Sequence, residues 1–304
     1  MSIWQKFMLM IMAIIPRWII SMPFFQNLIK KQEQVHRKAF ENMVLGQSLF
    51  QLNDTTTGDD KPLPKGLQRE LMPGHIAVIL DGSRRWAKKR GLIPIEGYQA
   101  GVTTLGAFLS LCRGWNIPIV SLFLFSSENW GRPKEEIDYL LELFEGSLKH
   151  YLLRYCNKFG ARISVIGDTS AFPNSLQKAM KQIEEDTKDF TQLHLILAMG
   201  YSGQSDIVHA CQNIAMKVKD GILQPEDITK SLFEEQLQTN VTNVQSPDLL
   251  IRTSGEIRIS NYYLWQSAYT ELYFSDALWP DFGEAEFAKA LRSFQQRGRR
   301  YGKI

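Results

Sequence analysis

A chain of 304 residues, 44% hydrophobic and 22% charged, can bury a sizeable core and holds one large domain with an extension, or two domains. Its formal net charge of +3 excludes a globally basic nucleic-acid-binding surface, so any basic site must be local. Cys112, Cys156 and Cys211 are odd in number and lack metal-ligand spacing, so they read as reduced structural thiols of an intracellular compartment.

Residues 7–15 are apolar and Met-rich, but Pro16 and Arg17 interrupt them before a bilayer-spanning length is reached. Residues 18–25 resume the apolar character, and Lys30, Lys31, Arg37 and Lys38 make the flank basic. An organelle transit peptide is acid-poor and basic, as this stretch is, but also Ser-rich, which it is not. No small-residue cleavage site of a secretory signal follows, and an amphipathic segment lying on a membrane surface is the other reading. Residues 51–65 turn polar and then carry Pro62 and Pro64, as a linker does. The chain therefore divides into a 1–65 extension, either a transit peptide or a membrane-surface segment plus linker, and a folded 66–304 domain.

From His75 the pattern alternates between strands and helices. Residues 76–80 are a short apolar run, as a strand buried on both faces requires, and Asp81-Gly82 stops it. The helix that follows opens with Ser83, Arg84 and Arg85. Its unpaired N–H groups and two guanidinium groups suit an anion, and Asp81 could hold a divalent cation, a combination that suggests a diphosphate with Mg²⁺. A strand-loop-helix with solvated arginines reads the same residues equally well. Helical spacing continues over 102–112, a second strand over 117–125, a long amphipathic helix over 135–155 and a third strand over 161–166. A helix at 175–188, a strand at 193–199, a helix at 206–219, short strands at 248–251 and 272–274, and a helix at 284–300 complete the chain. Strands regularly separated by helices predict an α/β fold with a parallel sheet and flanking helices.

Functional residues of such a sheet belong beyond the carboxyl ends of its strands. Asp81, Arg84 and Arg85 follow the first strand; Ser126, Asn129, Trp130 and Arg132 follow the second; Arg252, Arg258 and Ser260 follow the fifth. Glu271 stands just before the last strand, and two carboxylates with five arginines are expected on one side of the sheet. Each arginine alone could be a solvated surface residue; their concentration favours bidentate phosphate contacts. Neither familiar nucleotide-binding glycine loop is present, nor a His/Cys set for zinc, and none of the five histidines has an obvious nucleophile partner.

At these residues the chain resembles the cis-prenyltransferases, the family of undecaprenyl and dehydrodolichyl diphosphate synthases. The segments that carry the resemblance are HIAVILDGSRRWAKKRG, GYQAG, FSSENWGRP, IGDTS, PDLLIRTSGEIRISNYYLWQSAYTELYFSDALWPDF and FQQRGRRYG, in family order from His75 to Gly302. The acid-poor extension and segments such as YSGQSDIV look most like the plant plastid branch that makes short products. The resemblance implies a parallel sheet over an apolar tunnel, a homodimer, Mg²⁺ as cofactor, isoprenoid diphosphate substrates and the chloroplast stroma, with no nucleic-acid partner and at most a weak membrane-surface association. It implies Asp81 and Ser83 as the catalytic positions and Asp81 as a metal ligand. Gly82, Arg84, Arg85 and Arg132 would cradle the allylic diphosphate. Arg252, Arg258 and Ser260 would hold the second diphosphate, and Glu271 would help hold the metal where the two sites meet. Trp86, Ser126, Asn129, Trp130 and Glu136 would pack the substrate and steady the loop after Trp130.

Departures from the family pattern stand at Ser83, where Asn is normal, and at Gly200 and Ile257, where Asn and His occur. Tyr98 replaces a frequent His, and Leu124 a small tunnel-facing Ala. Leu124 adds about three heavy atoms to the expected tunnel wall, which should block a growing chain by overpacking. The implied reaction joins dimethylallyl and isopentenyl diphosphates into a C10-type product such as neryl diphosphate. Loss of the Asn at Ser83 keeps open an irregular coupling of two dimethylallyl diphosphates to lavandulyl diphosphate, as in lavandulyl diphosphate synthase. A non-catalytic subunit of a cis-prenyltransferase complex would predict loss of Asp81 or the arginines, and all are present.

Overall fold

The computed structural model describes residues 61–298 together with Met22; the readings of the extension before residue 61 and of the chain after 298 fall outside these residues. Six strands form one sheet, β1 (His75–Ile79), β2 (Ile119–Ser126), β3 (Ala161–Ile166), β4 (Leu193–Tyr201), β5 (Leu249–Arg252) and β6 (Glu271–Phe274), in the order β3-β4-β2-β1-β5-β6. Every neighbouring pair runs parallel. The chain leaves β1 towards β2 but returns after β4 to the far side of β1, so the crevice above β1 and β5 is where the strand order reverses. In open α/β sheets ligands bind at that point.

Alternate side chains of each strand build two cores. Ile76, Val78, Val120, Leu122, Leu249 and Ile251 face a large core with Phe108, Trp115, Phe287 and Leu291. Ala77, Ile79, Ile119 and Leu250 face a smaller one closed by Tyr201, Tyr262 and Tyr263. With β1 buried from His75 to Ile79, its near-continuous apolar run is explained.

Eight helices of the described residues connect and flank the sheet: α1 (Ser83–Lys89), α2 (Pro94–Gly114), α3 (Lys134–Gly146), α4 (Leu153–Phe159), α5 (Asn174–Thr187), α6 (Gly203–Lys219), α7 (Lys230–Gln236) and α8 (Glu284–Gln295). Four of them, α2, α3, α4 and α7, differ from the sequence expectation. α2 begins eight residues earlier than its apolar spacing shows, because Pro94 fits the first helical position and Glu96 Oε2 accepts from Ile93 N at 3.1 Å. The single helix expected over 135–155 is instead α3, a π-turn at Ser147–Leu152, and α4. α7 was not anticipated; Thr229 caps it, its hydroxyl accepting from Leu232 N at 3.2 Å.

Strand β2 is not regular either. Phe123 lies opposite Ala198 and Phe125 opposite Met199, so Leu124 is an extra residue in a bulge. Leu122, Leu124 and Phe125 consequently all turn towards the large core. Among the described residues no helix is long and apolar enough to cross a membrane.

Candidate active site

The turn after β1 is held by three hydrogen bonds with two residues, Thr253 and Trp279. Asp81 N donates to Thr253 Oγ1 at 3.0 Å, Thr253 Oγ1 donates to Asp81 O at 2.6 Å, and Trp279 N donates to Asp81 O at 3.0 Å. Gly82 follows with φ 113°, and a Cβ there would stand 3.0 Å from Leu278 Cδ2 and 3.1 Å from Ser254 Cβ. Only glycine meets both demands. The backbone thus delivers the Asp81 carboxylate and the start of α1 to one cleft of about 670 Å³, lined by Asp81, Gly82, Ser83, Arg84, Arg85, Tyr98 and Arg132 among others.

Asp81 is the hinge between two arginine groups. Its Oδ2 accepts from Arg252 Nη2 at 2.9 Å, and its Oδ1 pairs with Arg85 Nη2 at 3.2 Å. Burial pushes the Asp81 carboxyl up, but the Arg252 hydrogen bond and the charges of Arg85 and Arg252 outweigh it and hold the group below its usual range. Asp81 is therefore ionised throughout the physiological range. Arg252 is almost wholly buried; its Nη1 donates to Ser260 Oγ at 2.6 Å and to Arg258 O at 2.8 Å. Its Nε has no partner among the described residues. The loop carrying these partners turns through left-handed backbone, with φ 81° at Ser254, 48° at Ser260 and 60° at Asn261, a conformation uncommon for residues other than glycine.

Two further carboxylates organise the arginines. Glu256 accepts from Arg85 at 2.8 Å and from Arg258 at 2.5 Å, linking the two groups a second time. Hydrogen bonding to Arg258 leads the effects that lower the Glu256 carboxyl. On the other wall Glu136 accepts from Tyr98 Oη at 2.6 Å and Arg132 Nη1 at 3.3 Å, and lies 3.6 Å from Arg84 Nε. Burial, then the bond to Glu136, raises the Tyr98 phenol and keeps it protonated. Glu256 escaped the sequence reading; its one signal was a carboxylate two residues before Arg258 in a turn that already carried two arginines.

The expected site residues divide into two sets. Asp81, Gly82, Ser83, Arg84, Arg85 and Arg132 line one cleft, and Arg252, Arg258 and Ser260 adjoin it through Asp81 and Glu256. Trp86 instead donates Nε1 to Asp281 at 2.7 Å with Arg90 stacked 4.2 Å over its ring, and does not line the cleft. Asn129 Oδ1 accepts from Ser126 N at 3.1 Å, capping the short turn after β2. Trp130 packs against Phe125 and Phe172 at ring distances of 4.9 and 5.1 Å.

Glu271 corrects the expectation of two carboxylates at one end. It pairs with Leu249 at the start of β6, while Arg252 pairs with Phe274 at its end. All strands being parallel, three residues separate it from the level of Arg252, about 10 Å along the strand. There it accepts from Arg297 Nη1 at 2.6 Å. A residue that precedes a strand of a parallel sheet sits at the opposite end from residues that follow one, so this chain does not bring Glu271 to Asp81.

The departures have structural settings. Ile257 is 80% exposed. Gly200 has φ 66°, and a Cβ would lie 2.2 Å from Asp168 O, so any side chain is excluded in this backbone. Ser83 is buried on the cleft wall, beside Gly101 and Trp279. Leu124 lines a second, apolar cavity of about 60 Å³ together with Val102, Leu105, Phe144, Leu148, Met180 and neighbours. One face of α2 links the two spaces: Tyr98 lines the cleft, and Val102 and Leu105 line the cavity. At 1.5 Å per residue the cavity begins about 6 Å beneath Tyr98.

Three comparisons bear on this geometry. A family model described as "Putative undecaprenyl diphosphate synthase" matches residues 79–302. A chloroplastic dehydrodolichyl diphosphate synthase of Solanum lycopersicum is 50% identical over 287 residues, 93% of this chain and 91% of that protein. A chloroplastic nerylneryl diphosphate synthase of the same plant is 47% identical over 236 residues, 78% of this chain and 73% of that protein. The crystal structure of lavandulyl diphosphate synthase from Lavandula x intermedia in complex with dimethylallyl diphosphate superposes with a TM-score of 0.75 at 41% identity, covering 77% of this chain and 100% of that one.

Proposed function

The chain belongs to the cis-prenyltransferase family, and from that premise we propose that this transferase is a short-chain prenyl diphosphate synthase with dimethylallyl diphosphate as allylic donor. The observation that carries the reading is the apolar cavity beneath the arginine cleft, about 60 Å³ with Leu124 in its wall. That is room for about four water-sized spheres, too little for a long polyprenyl tail. Of the family's condensation products a C10-type one such as neryl diphosphate, from condensation with isopentenyl diphosphate, makes the smallest demand on this space. In support of the donor, the lavender relative is described in complex with dimethylallyl diphosphate.

On this reading Arg84, Arg85 and Arg132 bind the donor diphosphate, and Arg252, Arg258 and Ser260 bind that of the acceptor. Glu136 and Glu256 pre-orient the guanidinium groups, which lowers the ordering cost of binding. The donor's C–O bond breaks, its carbon bonds to the acceptor's double bond, and the acceptor loses a proton. Fixed arginine charge stabilises the departing diphosphate, and the apolar walls keep water from the allylic cation. With no dedicated base in the cleft, a diphosphate oxygen receives the proton, directly or relayed through the Ser83 hydroxyl.

Asp81, ionised and facing the cleft, fits Mg²⁺. The described residues hold no cluster of three or more metal-ligating side chains. Mg²⁺ characteristically takes one or two carboxylates, substrate phosphates and water, which is the donor set available here. Bound there, it supplies charge neutralisation to the departing diphosphate. Localisation in the plastid stroma rests on the chloroplastic relatives. Homodimerisation rests on the family likeness, and the 1–65/66–304 division on the composition of the sequence up to residue 65.

Ser83 favours a second reading. It stands where the family's Asn is linked to proton removal, so a changed acceptor is consistent with it, and irregular coupling of two dimethylallyl diphosphates would follow. Incubation with Mg²⁺ and dimethylallyl diphosphate, with and without isopentenyl diphosphate, separates the readings. A C10 product that requires both substrates supports regular condensation. A branched C10 product from dimethylallyl diphosphate alone supports irregular coupling, and absence of any product overturns both.

A further inference from the structure

We propose that Asn261 is a positioning residue of the prenyl-transfer site, tying the loop that carries the acceptor-binding residues, through Glu128, to the turn that leads into the donor-binding Arg132. The inference rests on the reading of two diphosphate sites and adds a second link between them, apart from the Asp81–Arg252 pair.

Asn261 follows Ser260, whose hydroxyl accepts from the buried Arg252. Both residues have left-handed backbone, φ 48° and 60°, which is uncommon outside glycine and needs contacts to hold it. Asn261 supplies them. Its backbone O accepts from Gly203 N at 2.8 Å, and its Oδ1 accepts from Gln204 N at 2.9 Å. Its Nδ2 donates to Ser202 Oγ at 2.8 Å and to Glu128 Oε1 at 3.0 Å. The start of α6 comes so close that a Cβ at Gly203 would stand 2.9 Å from Asn261 O. Gln204 N can only donate, so it faces the amide oxygen, and the amide nitrogen is thereby aimed at Glu128.

Glu128 turns this anchorage into a link. It lies in the short turn Ser127–Gly131 after β2, and Arg132 closes that turn, its N–H donating to Asn129 O at 3.1 Å. Burial pushes the Glu128 carboxyl up, but the Asn261 hydrogen bond leads the effects that outweigh it and hold the group below its usual range. The turn is fixed on its own side by the Asn129 cap and by Trp130 against Phe125 and Phe172. The left-handed pair after β5 has Asn261 as its anchor, so loss of the link should act on the acceptor more than on the donor.

Charge inversion separates the link from mere support of the loop. In Asn261→Asp the carboxylate still accepts from Gln204 N at the start of α6, where negative charge is favoured, but it meets the Glu128 carboxylate. Glu128→Gln in that background supplies an amide donor and restores the bond in the opposite direction. Steady-state kinetics of the full chain with Mg²⁺ are read with dimethylallyl diphosphate saturating and isopentenyl diphosphate varied. Asn261→Asp should raise the acceptor KM about fivefold, with donor KM changed less than about twofold and Tm within about 2 °C of wild type. The double variant should restore the acceptor KM. Glu128→Ala leaves the bonds to Ser202, Gly203 and Gln204 in place and should raise the acceptor KM by a similar factor; it decides alone if Asn261→Asp does not fold. An acceptor KM unchanged in either folded single variant overturns the proposal. So does a rise in Asn261→Asp that Glu128→Gln fails to reverse, which would leave Asn261 as support for α6 only. Calorimetric binding of isopentenyl diphosphate beside the unreactive dimethylallyl thiodiphosphate reads the same loss without turnover. A wild-type protein that forms no product would refute the prenyl-transfer reading, and the binding ratio would still decide the role of Asn261.

Discussion

Replacing Asp81 tests the site and its energetics together. Its carboxylate is the counter-charge of Arg252, whose side chain is 5% exposed against 30% for Asp81. Asp81→Ala leaves that guanidinium buried beside Arg85 with only Ser260 Oγ and the Arg258 carbonyl to accept from it. Breaking a fully buried ion pair costs about 3–5 kcal/mol, and the exposure of Asp81 reduces this to roughly 2–3 kcal/mol. For a domain of this size that lowers Tm by roughly 5–10 °C. Asp81→Asn keeps an oxygen for Arg252 and should lose less, while both variants abolish turnover. The pH dependence has a definite sign. A carboxyl whose folded pKa lies below its unfolded value stabilises above the unfolded value and loses that contribution as pH falls through the folded one. The stability gap between wild type and Asp81→Asn should therefore be constant from about pH 5 to 8 and narrow below about pH 4. Urea titrations across this range measure it. An unchanged midpoint for Asp81→Ala would refute the counter-charge argument, and retained turnover would refute the site.

Other perturbations test separate parts of the structure. Leu124→Ala removes three carbons from the wall of the apolar cavity; chromatography of the products should show longer chains, at a stability cost of about 2 kcal/mol. Gly82→Ala forces an unfavourable φ and a close contact with Leu278, so it should lose about 1–3 kcal/mol in thermal unfolding and raise KM for the allylic substrate. Glu136→Gln frees Arg84 and Arg132 from their anchor and should raise the donor KM more than it lowers kcat, as steady-state kinetics would resolve. Ser83→Asn should shift products towards regular condensation; an unchanged product spectrum removes Ser83 from the explanation of acceptor choice.

Much of the fold was legible because its signals are local. The apolar run of β1, the Asp81-Gly82 stop and the alternation of strand and helix depend on neighbours in the chain, and they led to the parallel sheet and the arginines beyond its strands. Glu271 was misplaced even though the expected parallel sheet already implied its position: a residue that opens a parallel strand lies at the opposite end from residues that follow one. Glu256 was missed because, although Arg258 stands two residues away, its partner Arg85 meets it only when the loop after β5 lies against α1.

The residue types proposed to bind diphosphate, and the order in which strands present them, follow from the sequence alone, because charge, glycine and apolar periodicity act over a few residues. Tertiary structure decided how those groups are linked to one another, since the pairs Asp81–Arg252, Arg85–Glu256 and Arg84–Glu136 each close between segments distant in the chain. It also decided the depth beneath them. The bulge that turns Leu124 inward and the π-turn whose Leu148, Tyr151 and Leu152 line the same cavity each insert one residue into a regular element, and periodicity does not reveal an insertion that packing alone stabilises.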